Sequence, residues 1–153
     1  MNCTDHLWRD KDLPVVNGVV FGNGDIVSFA IVGYGSEREI SLASTCHLDD
    51  FMKNEDAVLS SVDALDELVL HEKTGFYKAI CGEGSYGGDG FIVTLDADNK
   101  ICWAAVFDCS NPFVQLQQRG EELVAINNLG ECWVFPLSVP SSFYVTETRK
   151  LGL

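Results

Sequence analysis

"NEDAVLSSVDALDELVLH", residues 54–71, is the stretch on which the fold class turns. Val58, Val62, Leu65 and Val69 are spaced by 4, 3 and 4, which aligns them on one stripe of a 3.6-residue helix. Asn54 is a fitting N-cap, Glu55 and Asp56 follow in the first turn, and Gly75 lies beyond the end as a stop. A start at Ser60 with Asp63 as its reciprocal partner fits as well. The spacing predicts one main helix near 54–72, lying over one face of a sheet.

The sheet is expected from the rest of the chain. "VVNGVVF" (15–21) and "IVSFAIV" (26–32) are rich in Val, Ile and Phe, and the intervening "GNGD" supplies residues that accept a positive φ, so the pair reads as a hairpin. Further short strands are expected at 38–43, 76–80, 91–95, 100–107, 113–118, 122–127, 131–137 and 142–146, each bounded by turn residues. Together these predict an α+β class: a mainly antiparallel, hairpin-rich sheet with one main helix. Two hairpins echo each other, with Cys-Trp pairs at 102–103 and 132–133, but two units do not make a repeat architecture.

The 153 residues fit one domain, long enough to bury roughly two thirds of the unfolded surface. No apolar run approaches the roughly 18 residues that span a bilayer, and the longest is Ile101–Phe107. "MNCTDHLWRDKDLP" carries charges where an export signal needs an apolar stretch, so a cytosolic location is expected. In that compartment the six cysteines (Cys3, Cys46, Cys81, Cys102, Cys109, Cys132) are expected to be reduced. None shows the paired spacing of a zinc site, and Cys102 and Cys132, in apolar strands, read as small buried hydrophobes.

Residues 80–95, "ICGEGSYGGDGFIVTL", contain Gly82-x-Gly84-x-x-Gly87, the spacing that wraps nucleotide phosphates. A dinucleotide loop must open a helix, and here a strand follows. The kinase form of the loop does lie between strands, but the lysine strand, catalytic loop and metal-binding triplet that accompany it are missing from the sequence. The stretch reads as a hairpin connection with Tyr86 at its tip. "DADNK" (96–100) imitates the start of a calcium loop without the later glycine and glutamate, and reads as a turn. No cofactor or metal is expected. Cys109, at a strand end in "DCSNPF", is the one candidate nucleophile, for which His6, His47 or His71 would have to supply a base. Cys46 and His47 are adjacent and would point to opposite faces of a strand.

Charge is the informative feature. The net charge of −13 argues against nucleic-acid and anionic-membrane partners, which need Lys and Arg to neutralise phosphate. Residues 49–72 hold Asp49, Asp50, Glu55, Asp56, Asp63, Asp66, Glu67 and Glu72 against Lys53 alone. On the expected helix, Asp56, Asp63 and Glu67 fall opposite the apolar stripe and face solvent. Carboxylates of one sign weaken the compact state and steer a basic partner toward it. These eight acids, with Tyr86, are the expected partner-binding residues.

The chain resembles, in size, charge and its late run of hairpins "SNPFVQLQQRGEELVAINNLGECWVFPL" (110–137), the immunity proteins of bacterial polymorphic-toxin and contact-dependent growth-inhibition systems. Those are small, acidic, non-enzymatic proteins that neutralise a cognate toxin domain, often a nuclease. The resemblance implies a stoichiometric inhibitor of a basic toxin, with residues 49–72 covering the toxin's active site. The competing expectation is a small enzyme or ligand-binding β protein whose pocket uses Cys109, Tyr86 or Tyr34.

Overall fold

A computed structural model describes residues 3–71 and 74–153. Its elements in chain order begin with α1 (Cys3–Arg9), β1 (Asp12–Pro14), β2 (Gly18–Phe21), β3 (Asp25–Val32), β4 (Glu39–His47), α2 (Leu48–Lys53), β5 (Leu59–Ser61) and β6 (Asp63–Val69). They continue with β7 (Lys78–Glu83), β8 (Gly90–Leu95), β9 (Ile101–Phe107), β10 (Phe113–Arg119), β11 (Glu122–Asn127), β12 (Glu131–Pro136) and β13 (Tyr144–Glu147).

Two antiparallel meanders, β2–β4 and β6–β9, fuse through a β2–β9 pairing into a seven-stranded sheet of order β4-β3-β2-β9-β8-β7-β6. A third meander, β10–β13, forms a four-stranded sheet, and β1 with β5 forms a separate ribbon. The mainly antiparallel, hairpin-rich α+β class expected from the sequence is what the structure shows. The first hairpin turns at Gly22–Gly24 as its sequence predicts, with Gly24 at φ +96° and the Asn23 side chain accepting from the Asp25 amide at 2.9 Å.

The central strands of the large sheet, β2, β7, β8 and β9, are buried on both faces. β8 and β9, "GFIVTL" and "ICWAAVF", are almost entirely enclosed, as continuous apolar runs bounded by turns require. Trp103, Ala105 and Phe107 of β9 face the four-stranded sheet, where they meet Trp133 and Phe135 of β12 with ring centroids 4.8 to 6.3 Å apart. The Trp103 indole donates to the Leu137 carbonyl at 3.0 Å, tying the two sheets together. The Cys-Trp echo therefore reflects two hairpins that contribute a tryptophan each to one shared core. On the opposite face Phe91, Val93, Ala104 and Val106 pack under α1, the ribbon and α2, through Trp8, Leu13, Val62 and Leu48.

The helix expected at 54–72 is not formed. Asn54 ends α2 instead of starting a helix, and residues 59–61 and 63–69 are strands. Of the supposed buried stripe only Val62 is enclosed, at 6% exposure, whereas Val58, Leu65 and Val69 are 40%, 46% and 63% exposed. The segment serves two cores in succession: Val62 packs under the ribbon, and Leu68 and Leu70 pack between the sheets. A bulge at Leu65, between the Ala64–Gly82 and Asp66–Cys81 pairs, shifts the alternation from one face to the other. The 4-3-4 spacing arose from adding apolar residues that belong to different layers.

Candidate partner-binding surface

The eight acids of 49–72 do not form one patch. Asp49 and Asp50 lie in the first turn of α2, directly after β4, and Glu55 and Asp56 lie in the turn beyond it, all exposed. Asp63, Asp66 and Glu67 lie on β6, at the opposite edge of the large sheet. Six inter-strand steps of about 4.8 Å separate the two edges by roughly 29 Å. Within β6, Asp63 and Glu67 point to opposite faces because of the Leu65 bulge, so the solvent face expected for Asp56, Asp63 and Glu67 together is divided. Glu72 lies outside the described residues.

Two of the β6 acids are engaged within the fold. Asp66 is half-buried; its Oδ1 accepts from the Glu67 amide at 3.0 Å and its Oδ2 from the Leu116 amide of β10 at 2.8 Å. One carboxylate thus satisfies donors on the free edges of both sheets. Glu67 pairs with Lys78 at 3.8 Å.

Tyr86 is exposed at the tip of the β7–β8 hairpin, and its hydroxyl donates to the Leu59 carbonyl at 3.3 Å. The glycine loop beneath it is organised around Asp89, which is 2% exposed. Asp89 accepts from the Ser60 hydroxyl at 2.7 Å and from the Tyr86 amide at 3.1 Å, while the Ser85 amide donates to the Ser60 hydroxyl at 3.0 Å. A Cβ on Gly84 would collide with the Asp89 carboxylate. Of the three glycines of the phosphate-like spacing Gly84 is the one that abuts this carboxylate, so the loop closes at that point on the chain's own Asp89.

Cys109 is half-buried, and burial pushes its thiol up despite the nearby Arg38 charge. Its described electrostatic neighbours are Arg38 and Asp108, not a histidine. His47 instead caps α2, with Nδ1 accepting from the Asp49 amide at 3.1 Å, and the His71 amide donates to the Gln118 side-chain oxygen at 3.0 Å. Burial drives Cys81 up to about 12 and Cys102 up to about 11. Cys132 is fully enclosed as expected, and Cys102 only partly so. Among the described residues no three His, Cys, Asp or Glu side chains converge to hold a metal ion.

An ion-pair cluster not anticipated from the sequence holds the other end of β4. Arg38, whose side chain is 4% exposed, donates from Nε and Nη2 to the two Glu131 carboxylate oxygens at 3.2 and 3.1 Å and also to the Cys109 carbonyl at 3.3 Å. Asn127 donates to Glu131 at 2.6 Å and to the Ser110 carbonyl at 2.8 Å. Burial raises Glu131, but the hydrogen bonds from Arg38 and Asn127 and the Arg38 charge outweigh it and hold the carboxyl below its ordinary range. The cluster joins the β3–β4 turn to the four-stranded sheet. Its sequence signal is weak: one arginine between two glutamates in "EREI" (37–40).

Arg38 is also the only Lys or Arg between residues 37 and 50, and its charge is consumed by Glu131. Exposed Glu37, Glu39, Asp49 and Asp50 border β4, with His47 3.5 Å from the Asp49 carboxylate and Lys53 exposed at the far end of α2. Asp25, in register with His47 across the hairpin, adds an exposed fifth carboxylate. Beside it an open cleft of about 600 Å³ is lined by Phe21, Asn23, Asp25, Val27 and Thr45 among others, and not by Cys109, Tyr34 or Tyr86.

Comparisons with protein-family models, with curated proteins and with solved structures each gave no match to this chain.

Proposed function

We propose that the chain is a non-enzymatic inhibitor that binds and neutralises a basic protein toxin domain, a nuclease above all. The observation that carries this reading is the net charge of −13 together with the five exposed carboxylates around β4, where Arg38, the arginine that enters the strand, is buried in an ion pair with Glu131. A nuclease needs a cationic active site to hold phosphate, and a predominantly acidic border is the electrostatic complement of such a site. The β6 acids contribute less, because Asp66 and Glu67 are already engaged within the fold.

The test is protection. A candidate basic nuclease toxin domain is expressed in cells together with wild type, with Asp49→Lys/Asp50→Lys, or with Asp63→Lys. The account expects wild type to restore growth, the double reversal to lose most of that protection at unchanged protein level, and Asp63→Lys to keep it. Growth restored equally by all three would remove the β4 border from the function.

A further inference from the structure

The two edges of the large sheet are treated differently. At β6 the Asp66 carboxylate takes the Glu67 amide and reaches across to Leu116, and the Gln118 side chain takes the His71 amide. Such side-chain caps stop an edge from pairing with another chain. β4 has none. The Phe29 amide donates to the Asn17 carbonyl on the β2 side, so alternation turns Ala30 and Val32 toward β4, where they face Ser41 and Glu39. Ile40 and Leu42 therefore direct their amides and carbonyls outward. On the far side of the bulge at Ala43, Thr45, opposite Val27, does the same. No side chain of a described residue bonds to these groups.

The composition of β4 does not protect it either. "EISLASTCH" (39–47) has no Lys and no Pro, and Glu39 is its only carboxylate. The bulge bends the strand without covering it. A strand added here would carry side chains over the cleft beside Thr45, whose floor includes Phe21 and Val27 and whose rim carries Asp25. An apolar floor with a carboxylate at its rim suits a side chain with a long aliphatic stem and a cationic head. The strand's two ends are bordered by Glu37 and Glu39 on one side and Asp25, Asp49 and Asp50 on the other. A second copy paired antiparallel on β4 would bring these like charges together, whereas a basic segment would neutralise them.

We propose that β4 is a docking edge, to which an extended basic segment of a partner protein adds as an eighth strand with one Arg or Lys side chain laid across the cleft toward Asp25. The partner's charge rests on the inhibitor reading; the edge and cleft stand apart from it. Main-chain bonds to Ile40, Leu42 and Thr45 supply affinity, and the cleft and its acidic border select the sequence.

The experiment uses the full chain labelled for NMR and two synthetic peptides of alternating Thr and Val with a central Arg and Lys at both ends, or with Glu in all the charged places. The basic peptide should slow hydrogen exchange at the Ile40, Leu42 and Thr45 amides, and the acidic one should bind at least about tenfold more weakly. Leu42→Pro removes an outward amide at a sheet edge, where proline is tolerated, and should abolish the protection. Unchanged exchange at these amides on wild type with saturating basic peptide overturns the proposal, as does equal protection by the acidic peptide. Protection without peptide, with a dimer in sedimentation, assigns the edge to a second copy and overturns it too. Neutralisation of the toxin by Leu42→Pro but not by Asp49→Lys/Asp50→Lys would sink the docking edge and leave the inhibitor reading standing.

Discussion

Asp89 carries its charge away from water, and the loop around it exists to serve that charge. Its oxygens hold the Ser60 hydroxyl and the Tyr86 amide, and through Ser60 the loop is fastened to β5. Hydrogen bonds to a charged group contribute about 1.5 to 3 kcal/mol each. Asp89→Ala is therefore expected to cost about 3 kcal/mol, a fall in Tm of about 6 to 12 °C for a domain of this size. Asp89→Asn, which keeps an acceptor, should lose less. Thermal unfolding of the two variants, with and without millimolar ATP, checks the account. A wild-type Tm that rises with ATP would mean that the loop holds phosphate after all. The glycines of this loop were legible as a turn, but its buried carboxylate was not, because Asp89 and Ser60 are 29 residues apart in sequence and meet only through the sheet.

At the scale of elements, the strands were legible where one segment serves one pair of faces. β2, β3, β8, β9, β11 and β12 alternate, or run continuously apolar, between strong turn signals, and local pattern suffices. Residues 54–71 defeated the same reasoning, because the bulge at Leu65 interrupts the period of two and Val62 and Leu68 pack in different layers. Tertiary packing overrode a helical spacing that four apolar residues happened to satisfy. The candidate surface suffered in the same way: acids expected on one helix face stand on opposite edges of the sheet, and strand order, which decides what is an edge, is not written in local periodicity. A strand reading of β6 makes a prediction that a helix does not. Asp66→Ala should strip an acceptor from both Glu67 and Leu116 and cost about 2 kcal/mol, with faster amide exchange at Leu116 on β10. A change confined to residues 62–70, with Leu116 unmoved, would argue against the bridge between the sheets.

For the molecule as a whole, a net charge of −13 on 153 residues is a standing self-repulsion that the two packed cores must overcome. On the proposed reading this charge is retained because it guides a basic partner to the β4 border. Stopped-flow association of the chain with the toxin domain, from about 0.02 to about 0.5 M salt, tests it most directly. The account predicts a wild-type association rate that falls by roughly 10- to 1,000-fold over that range, with most of the low-salt advantage lost in Asp49→Lys/Asp50→Lys. An association rate that is flat with salt, or equal in the double variant at low salt, would contradict it.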